Sequence, residues 1–222
     1  LNGVLAPSTN ALDLLWEQDI RQQEKGRKFE DRYVTLNYKF MADDVEHLSE
    51  SKSDSNQIPN RLKWIGYKDM FFSTVLISQE GFEATTLDSK AIPEGDVLKQ
   101  FKTTASVPFD LQGKEATNLS FYFGPNKFAL LKSFDKGVSA EQQLEKLVPL
   151  GWGIFRWVNQ YFVIPLFDFL GKFIHNYGIL ILLMTIIVKI ILFPLTYKSY
   201  MSSAKMRVLR PQVEEINAKY PG

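Results

Sequence analysis

Apolar and polar positions follow three different rhythms along this 222-residue chain. From Tyr33 to Phe40 they alternate strictly, with Val34, Leu36, Tyr38 and Phe40 set against Thr35, Asn37 and Lys39. A period of two is that of a strand with one face in a core and the other in water. Leu62 to Ser78 is rich in aromatic and β-branched residues and predicts a strand, or a strand followed by a short helix. The stretches TTASVPFDL from Thr103 and TNLSFYFGP from Thr117 predict further strands, the second halted by Gly124 and Pro125. LSESKSDSNQIPN from Leu48 is polar almost throughout and predicts a surface loop. Asn10 to Gly26 fits two templates, since Leu12, Leu15, Trp16 and Ile20 suit a helical face while ALDLLW suits a strand. Residues 1–146 together predict an all-β domain of sandwich type.

The second rhythm begins near Val148. Trp152, Phe155, Trp157, Tyr161, Phe162, Phe167, Phe169 and Phe173 crowd residues 147–176, with Arg156, Asn159 and Gln160 at helical spacing and Asp168, Lys172 and His175 as a second polar stripe. Pro165 predicts a break or kink between two helices. Such aromatic amphipathic segments suit helices lying in a membrane interface, or a pair of buried core helices. The neighbouring segment favours the interface. Gly178 to Leu195 is apolar apart from Thr185 and Lys189. At ~1.5 Å per residue it spans about 27 Å, against roughly 30 Å of hydrocarbon. Residues 177–196 therefore predict a transmembrane helix. Residues 197–222 continue beyond it as an amphipathic helix.

Charge gives the orientation. Overall the chain is nearly neutral, at +1, but from Tyr197 onward five cations oppose Glu214 and Glu215, leaving +3, and the remainder carries −2. An excess of basic residues beside a span marks the cytoplasmic side. The β domain then lies outside, in the periplasm of a bacterium with two membranes.

Lys189 sits about 17 Å into the span by helix rise. Holding an ammonium there costs roughly 2.5–3.5 kcal/mol on insertion scales. Three accounts offset that cost: the amine snorkels to the nearer interface, pairs with an acid of another helix, or lines a water-filled cavity that uses its charge on a substrate. Gly178, Thr185, Lys189 and Thr196 are seven, four and seven apart, which keeps them on one side of the helix. Snorkelling alone does not require Thr185 to share that side.

Other chemistry is thinly represented. Cysteine is absent, which excludes disulfides, cysteine zinc sites and thiol nucleophiles. The two histidines are His47, in the acidic stretch DDVEHLSE, and His175 at the membrane edge. Acid pairs such as Asp43 with Asp44, or Glu80 with Glu83, show no spacing that singles out an acid and a base. A carbohydrate-active β-sandwich enzyme anchored by one helix is therefore poorly equipped, and no cofactor, metal or small-molecule substrate is expected. A single-pass anchored binding protein, with Thr185 and Lys189 as pairing glue, is the non-enzymatic alternative. The basic tail is short and lacks interleaved aromatics, which argues against a nucleic-acid reader. No charged start followed by a short apolar core opens the chain at Leu1, and Gly222 closes it inside a helical pattern, so a fragment is expected.

YGILILLMTIIVKIILFPLTYKSYMSSAKMRVLRPQVEEINAKYP, with the preceding GWGIFRWVNQYFVIPLFDFLGKFIHN, resembles the YidC/Oxa/Alb family of membrane protein insertases in its bacterial form with a large periplasmic domain. The features that carry the resemblance are an apolar span with one basic residue, Phe-Pro-Leu-Thr at its exit, and KMRVLRPQ opening a helix beyond; SFYFGP and QQEKG extend it weakly backwards. The resemblance implies a β-supersandwich domain, here its later part, and a groove built by five membrane helices, of which this span is one. It implies that Lys189 and Thr185 bind substrate in that groove; many members carry arginine at the first position, and lysine keeps the charge but loses the planar fork. Nascent membrane proteins and the lipid bilayer are the implied partners, with the Sec translocon and ribosome as further ones. The implied action is non-enzymatic, in the bacterial inner membrane.

Overall fold

The strict alternation at Val34–Phe40 lies between two layers of structure, not at a surface. The computed structural model describes residues 10–42, 44–136 and 142–219, and its chain divides into two compact units, residues 1–149 and 150–222. The first unit carries eight antiparallel strands: β1 (Ala11–Arg21), β2 (Thr35–Phe40), β3 (Val45–His47), β4 (Asp54–Ile58), β5 (Leu62–Lys68), β6 (Phe72–Ala91), β7 (Val97–Pro108) and β8 (Leu119–Pro125). A short helix α1 (Arg27–Glu30) lies between β1 and β2, and another, α2 (Phe128–Ser133), follows β8.

The strands form two sheets that share β6. Its first half pairs with β5 and β8, and its second half with β4 and β7. Between the halves, Gly81 at φ 94° and Ala84 at φ 45° take left-handed backbone, and the register with β7 shifts between Glu83 and Thr86. An irregularity of this kind bends and re-aims a strand, which lets one chain segment serve two sheets. One layer runs β1–β7–β6–β4 and the other β3–β2–β5–β6–β8.

The main core joins side chains of both layers, among them Ile20, Leu87, Leu98 and Phe101 from one and Leu36, Tyr38, Ile65 and Leu76 from the other. Trp16 stacks on Tyr67 with ring centroids 3.7 Å apart, and the Tyr67 hydroxyl donates to Trp16 O at 2.9 Å. A second core closes the far face of β5, where Trp64 and Val75 meet Leu131 of α2 and Leu144 and Leu147 of a 3-10 turn. That second layer explains why β2 is buried on both faces. Thr35, Asn37 and Lys39 are all buried, and Asn37 Nδ2 donates to Thr35 Oγ1 at 2.8 Å.

One local expectation is corrected and two open ones are resolved. Within Asn10–Gly26, Ala11–Arg21 is strand β1, paired along its length with β7. The polar stretch from Leu48 holds strand β4, whose backbone pairs with β6 from Asp54 to Ile58. Leu62–Ser78 is strand, turn and strand, without a helix; Asp69 Oδ1 accepts from the Phe71 and Phe72 amides and shapes the turn.

Buried charge ties the irregular segments to this frame. The Glu30 carboxylate is fully buried and accepts from the Gln23 amide at 2.9 and 3.1 Å and the Glu24 amide at 2.9 Å. Lys99, also fully buried, donates to Val34 O and Glu50 O, both at 2.7 Å, with Asp31 Oδ1 at 3.7 Å.

The second unit is helical: α3 (Gly153–Val158), a π-type turn over Asn159–Val163, α4 (Ile164–Gly171) and α5 (Tyr177–Lys219). Pro165 does not end the helix. It lacks an N–H to give to the turn before it, and the wider π turn directly upstream takes up that mismatch. Arg156 Nε and Asn159 Nδ2 fold back to Gly151 O at 3.3 Å and Leu150 O at 2.9 Å, so two of the three polar residues on that stripe hold the chain entry. α5 is also continuous. Its 43 residues run through Tyr197, where the span was expected to pass into an amphipathic helix, with Pro194 and Pro211 inside it.

Candidate functional site

Asn176 starts α5 by accepting from the amides of Gly178 at 2.9 Å and Ile179 at 3.2 Å, which satisfies two of the donors a helix start leaves open. From there Tyr177–Arg207 is long and apolar enough to cross a membrane, and nearly all of its most apolar stretch stands exposed. A soluble protein would not leave Ile179, Ile181, Leu182, Ile186, Ile190, Ile191 and Phe193 uncovered.

Around this helix, cover is uneven. Leu180 is fully buried, and Leu183, Met184, Ile187 and Val188 are half-buried. At about 100° per residue these positions share one side of α5. α4 packs against α5, Tyr177 stacks on Phe167 with centroids 6.5 Å apart, and the small Gly171 admits Leu180. On the opposite side lie Gly178, Thr185, Lys189 and Thr196, within about 40° of one another, and all four are exposed. The polar stripe is thus the side that α4 does not use.

The two threonines are already engaged as donors. Thr185 Oγ1 donates to Ile181 O at 2.8 Å and Thr196 Oγ1 to Leu192 O at 2.6 Å. Each satisfies its own proton within the helix, which is how a hydroxyl is carried cheaply through an apolar layer. Their oxygen lone pairs remain as acceptors. Lys189 differs: among the described residues its ammonium has no hydrogen bond or ion pair. A lysine ammonium carries three hydrogen-bond donors.

Three members of the acid pairs have partners among the described residues. Glu83 pairs with Arg61, Asp44 with Lys146, and Glu80 accepts from the Asn118 amide at 3.2 Å. Asp43 lies outside the described residues. His47 is exposed, as is His175, and among the described residues no group of His, Asp or Glu is placed to hold a metal. A groove of about 770 Å³ lies where β1 and the end of β7 meet the following loop. Its Asp110 accepts from the amides of Gln112, Lys114 and Glu115, which hold its carboxyl below the usual range and commit it to the loop.

Comparison with known proteins places both units. The model of the YidC periplasmic domain matches residues 9–165, and that of the 60Kd inner membrane protein matches residues 169–222. The chain is 99% identical, along its whole length, to a membrane protein insertase YidC of Parabacteroides distasonis, of which it covers 35%. It is 54% identical to the protein of that name from Azobacteroides pseudotrichonymphae, over 98% of this chain and 36% of the other. With that of Bacteroides fragilis the identity is 47%, over 100% of this chain and 36% of the other. The chain therefore spans about a third of the length of these relatives.

Proposed function

This chain belongs to the YidC family of membrane protein insertases, and on that premise we propose that α5 supplies one wall of a hydrophilic groove that admits the polar tail of a nascent membrane protein. The observation that carries the proposal is the placement of Thr185 and Lys189 on the side of α5 left open by α4. A helix meant only as a tether gains nothing from an uncompensated ammonium at mid-span, which costs roughly 2.5–3.5 kcal/mol. A helix that must draw a carboxylate inward gains the attraction.

The mechanism is physical. Lys189 and the water that solvates it lower the cost of carrying an acidic segment partway across, and Thr185 accepts hydrogen bonds from its backbone one turn away. The apolar helix of the substrate then leaves sideways into lipid. No bond is made or broken, and no cofactor enters. In this reading residues 147–176 lie in the interface, 177–196 span the inner membrane, the β unit is periplasmic and the basic tail cytoplasmic. Nascent membrane proteins are the substrates. The Sec translocon and the ribosome are further partners, the latter through the tail. Catalysis on a small molecule has no part in it.

Lys189→Leu in the full-length insertase tests this directly. A charge-assisted contact is worth about 1.5–3 kcal/mol, so insertion of reporters with acidic translocated tails should fall by roughly tenfold or more. Lys189→Arg should keep most activity, and reporters with neutral tails should be little affected. Unchanged insertion of acidic-tailed reporters by Lys189→Leu would refute the groove.

A further inference from the structure

The polar line on α5 does not stop at the membrane boundary. Gly178, Thr185, Lys189, Thr196, Tyr200, Ser203 and Arg207 succeed one another at intervals of seven, four, seven, four, three and four along one unbroken helix, a spacing that holds a single azimuth. Lys189 and Arg207 are eighteen residues apart, which is five turns and about 27 Å. Lys198 and Lys205, equally cationic, fall on the opposite side of the helix by the same count. Tyr200 and Arg207 are exposed, and Arg207 has no hydrogen bond or ion pair among the described residues.

A topology signal counts basic residues near the end of a span and is indifferent to azimuth. A line that leads into a groove is not. Resting on the proposed insertase function, we infer that Arg207 is a first docking station for acidic residues of the tail being translocated, ahead of Lys189 on the same face. The separation exceeds the ~8 Å Debye length at physiological salt, so the two cations act independently and a carboxylate engages one, then the other. The guanidinium fork suits a carboxylate at the watery end, where both oxygens are free to be met. Thr196 and Tyr200 supply polar contacts between the stations.

The test compares equal losses of charge at different azimuths in the full-length insertase, at matched membrane levels, with acidic-tailed and neutral-tailed reporters. A surface cation contributes enough attraction that Arg207→Gln should cut insertion of the acidic reporter about fivefold. Lys205→Gln should cut it by less than about twofold. Neutral-tailed reporters should respond to neither. Moving the cation guards against a folding artefact: adding Ser203→Arg to Arg207→Gln should restore insertion, whereas adding Met201→Arg, off the line, should not. Equal effects of Arg207→Gln and Lys205→Gln, or equal rescue by the two relocations, would overturn the station and leave the groove standing. A silent Lys189→Gln would sink the groove and the station with it.

Discussion

Replacing Lys68 by methionine should remove about 2 kcal/mol of the stability that the β unit gains between pH 7.5 and 9.5. Lys68 is almost fully buried; its Nζ donates to Tyr33 O at 2.5 Å and lies 5.8 Å from the centre of the Tyr33 ring. Loss of water around the ammonium pushes its pKa down from 10.5 to about 8; the Glu50 and Asp69 carboxylates offset part of this and the Lys99 cation adds to it. Between those two values the unfolded chain binds more protons than the folded one, so the free energy of unfolding rises with pH. The stabilisation is complete above 10.5 and is lost as pH falls through 8. Its full span is about 3 kcal/mol, and about 2 kcal/mol of it falls between pH 7.5 and 9.5. Lys99 is shifted in the same direction by burial, so the wild-type slope contains both lysines and the difference from Lys68→Met isolates one. Above pH 10 the trend should reverse, because burial raises the Tyr38, Tyr67 and Tyr122 phenols and the unfolded chain ionises first. Equilibrium urea unfolding of residues 10–149, followed by circular dichroism at a series of pH values, reads both slopes. Parallel curves for wild type and Lys68→Met across that window would refute the argument.

Two further substitutions probe the frame. Glu30→Ala strands the Gln23 and Glu24 amides that its buried carboxylate receives, and should cost about 2–4 kcal/mol, read as a lower urea midpoint. Gly66→Ala places a methyl 3.3 Å from the Trp64 ring and 3.4 Å from Val75, and should cost about 1–3 kcal/mol by overpacking, seen as a lower Tm with unchanged far-ultraviolet dichroism.

The sandwich and the span were legible because each rests on a single periodicity. β8 lies within the stretch read as a strand, the stretch from Thr103 is the later half of β7, which starts at Val97, and the apolar helix declares itself by length. What was hidden depends on partners. In β4 the side chains of Ser55, Asn56 and Gln57 are exposed, so the strand is held by its backbone and leaves no apolar pattern to read. β2 looks half-buried in sequence because nothing local reveals that α2 and the Leu144–Leu147 turn supply a second layer. The expected boundary at Tyr197 marks a change of solvent, from lipid to water, and a helix is indifferent to that change while its residues favour it. Ala204, Lys205, Met206, Arg207 and Leu209 are strong helix formers. Thr185 and Lys189 were readable as one stripe from spacing alone. That α4 occupies the other side was not, since it depends on which of Leu180, Leu183 and Ile187 is covered.

β6 belongs to both sheets, and this joins the two layers of the β unit through one continuous strand. The inward-facing set changes parity across the Gly81–Ala84 irregularity, so that Leu76 and Phe82 before it and Leu87 after it reach the same core. Deleting one residue there would turn every later side chain of the strand to the wrong face, ejecting Leu87 from the interior and forcing its polar neighbours in. Neither layer can therefore melt alone, and denaturation should be all-or-none, with no half-assembled species left to expose an unpaired edge to its neighbours.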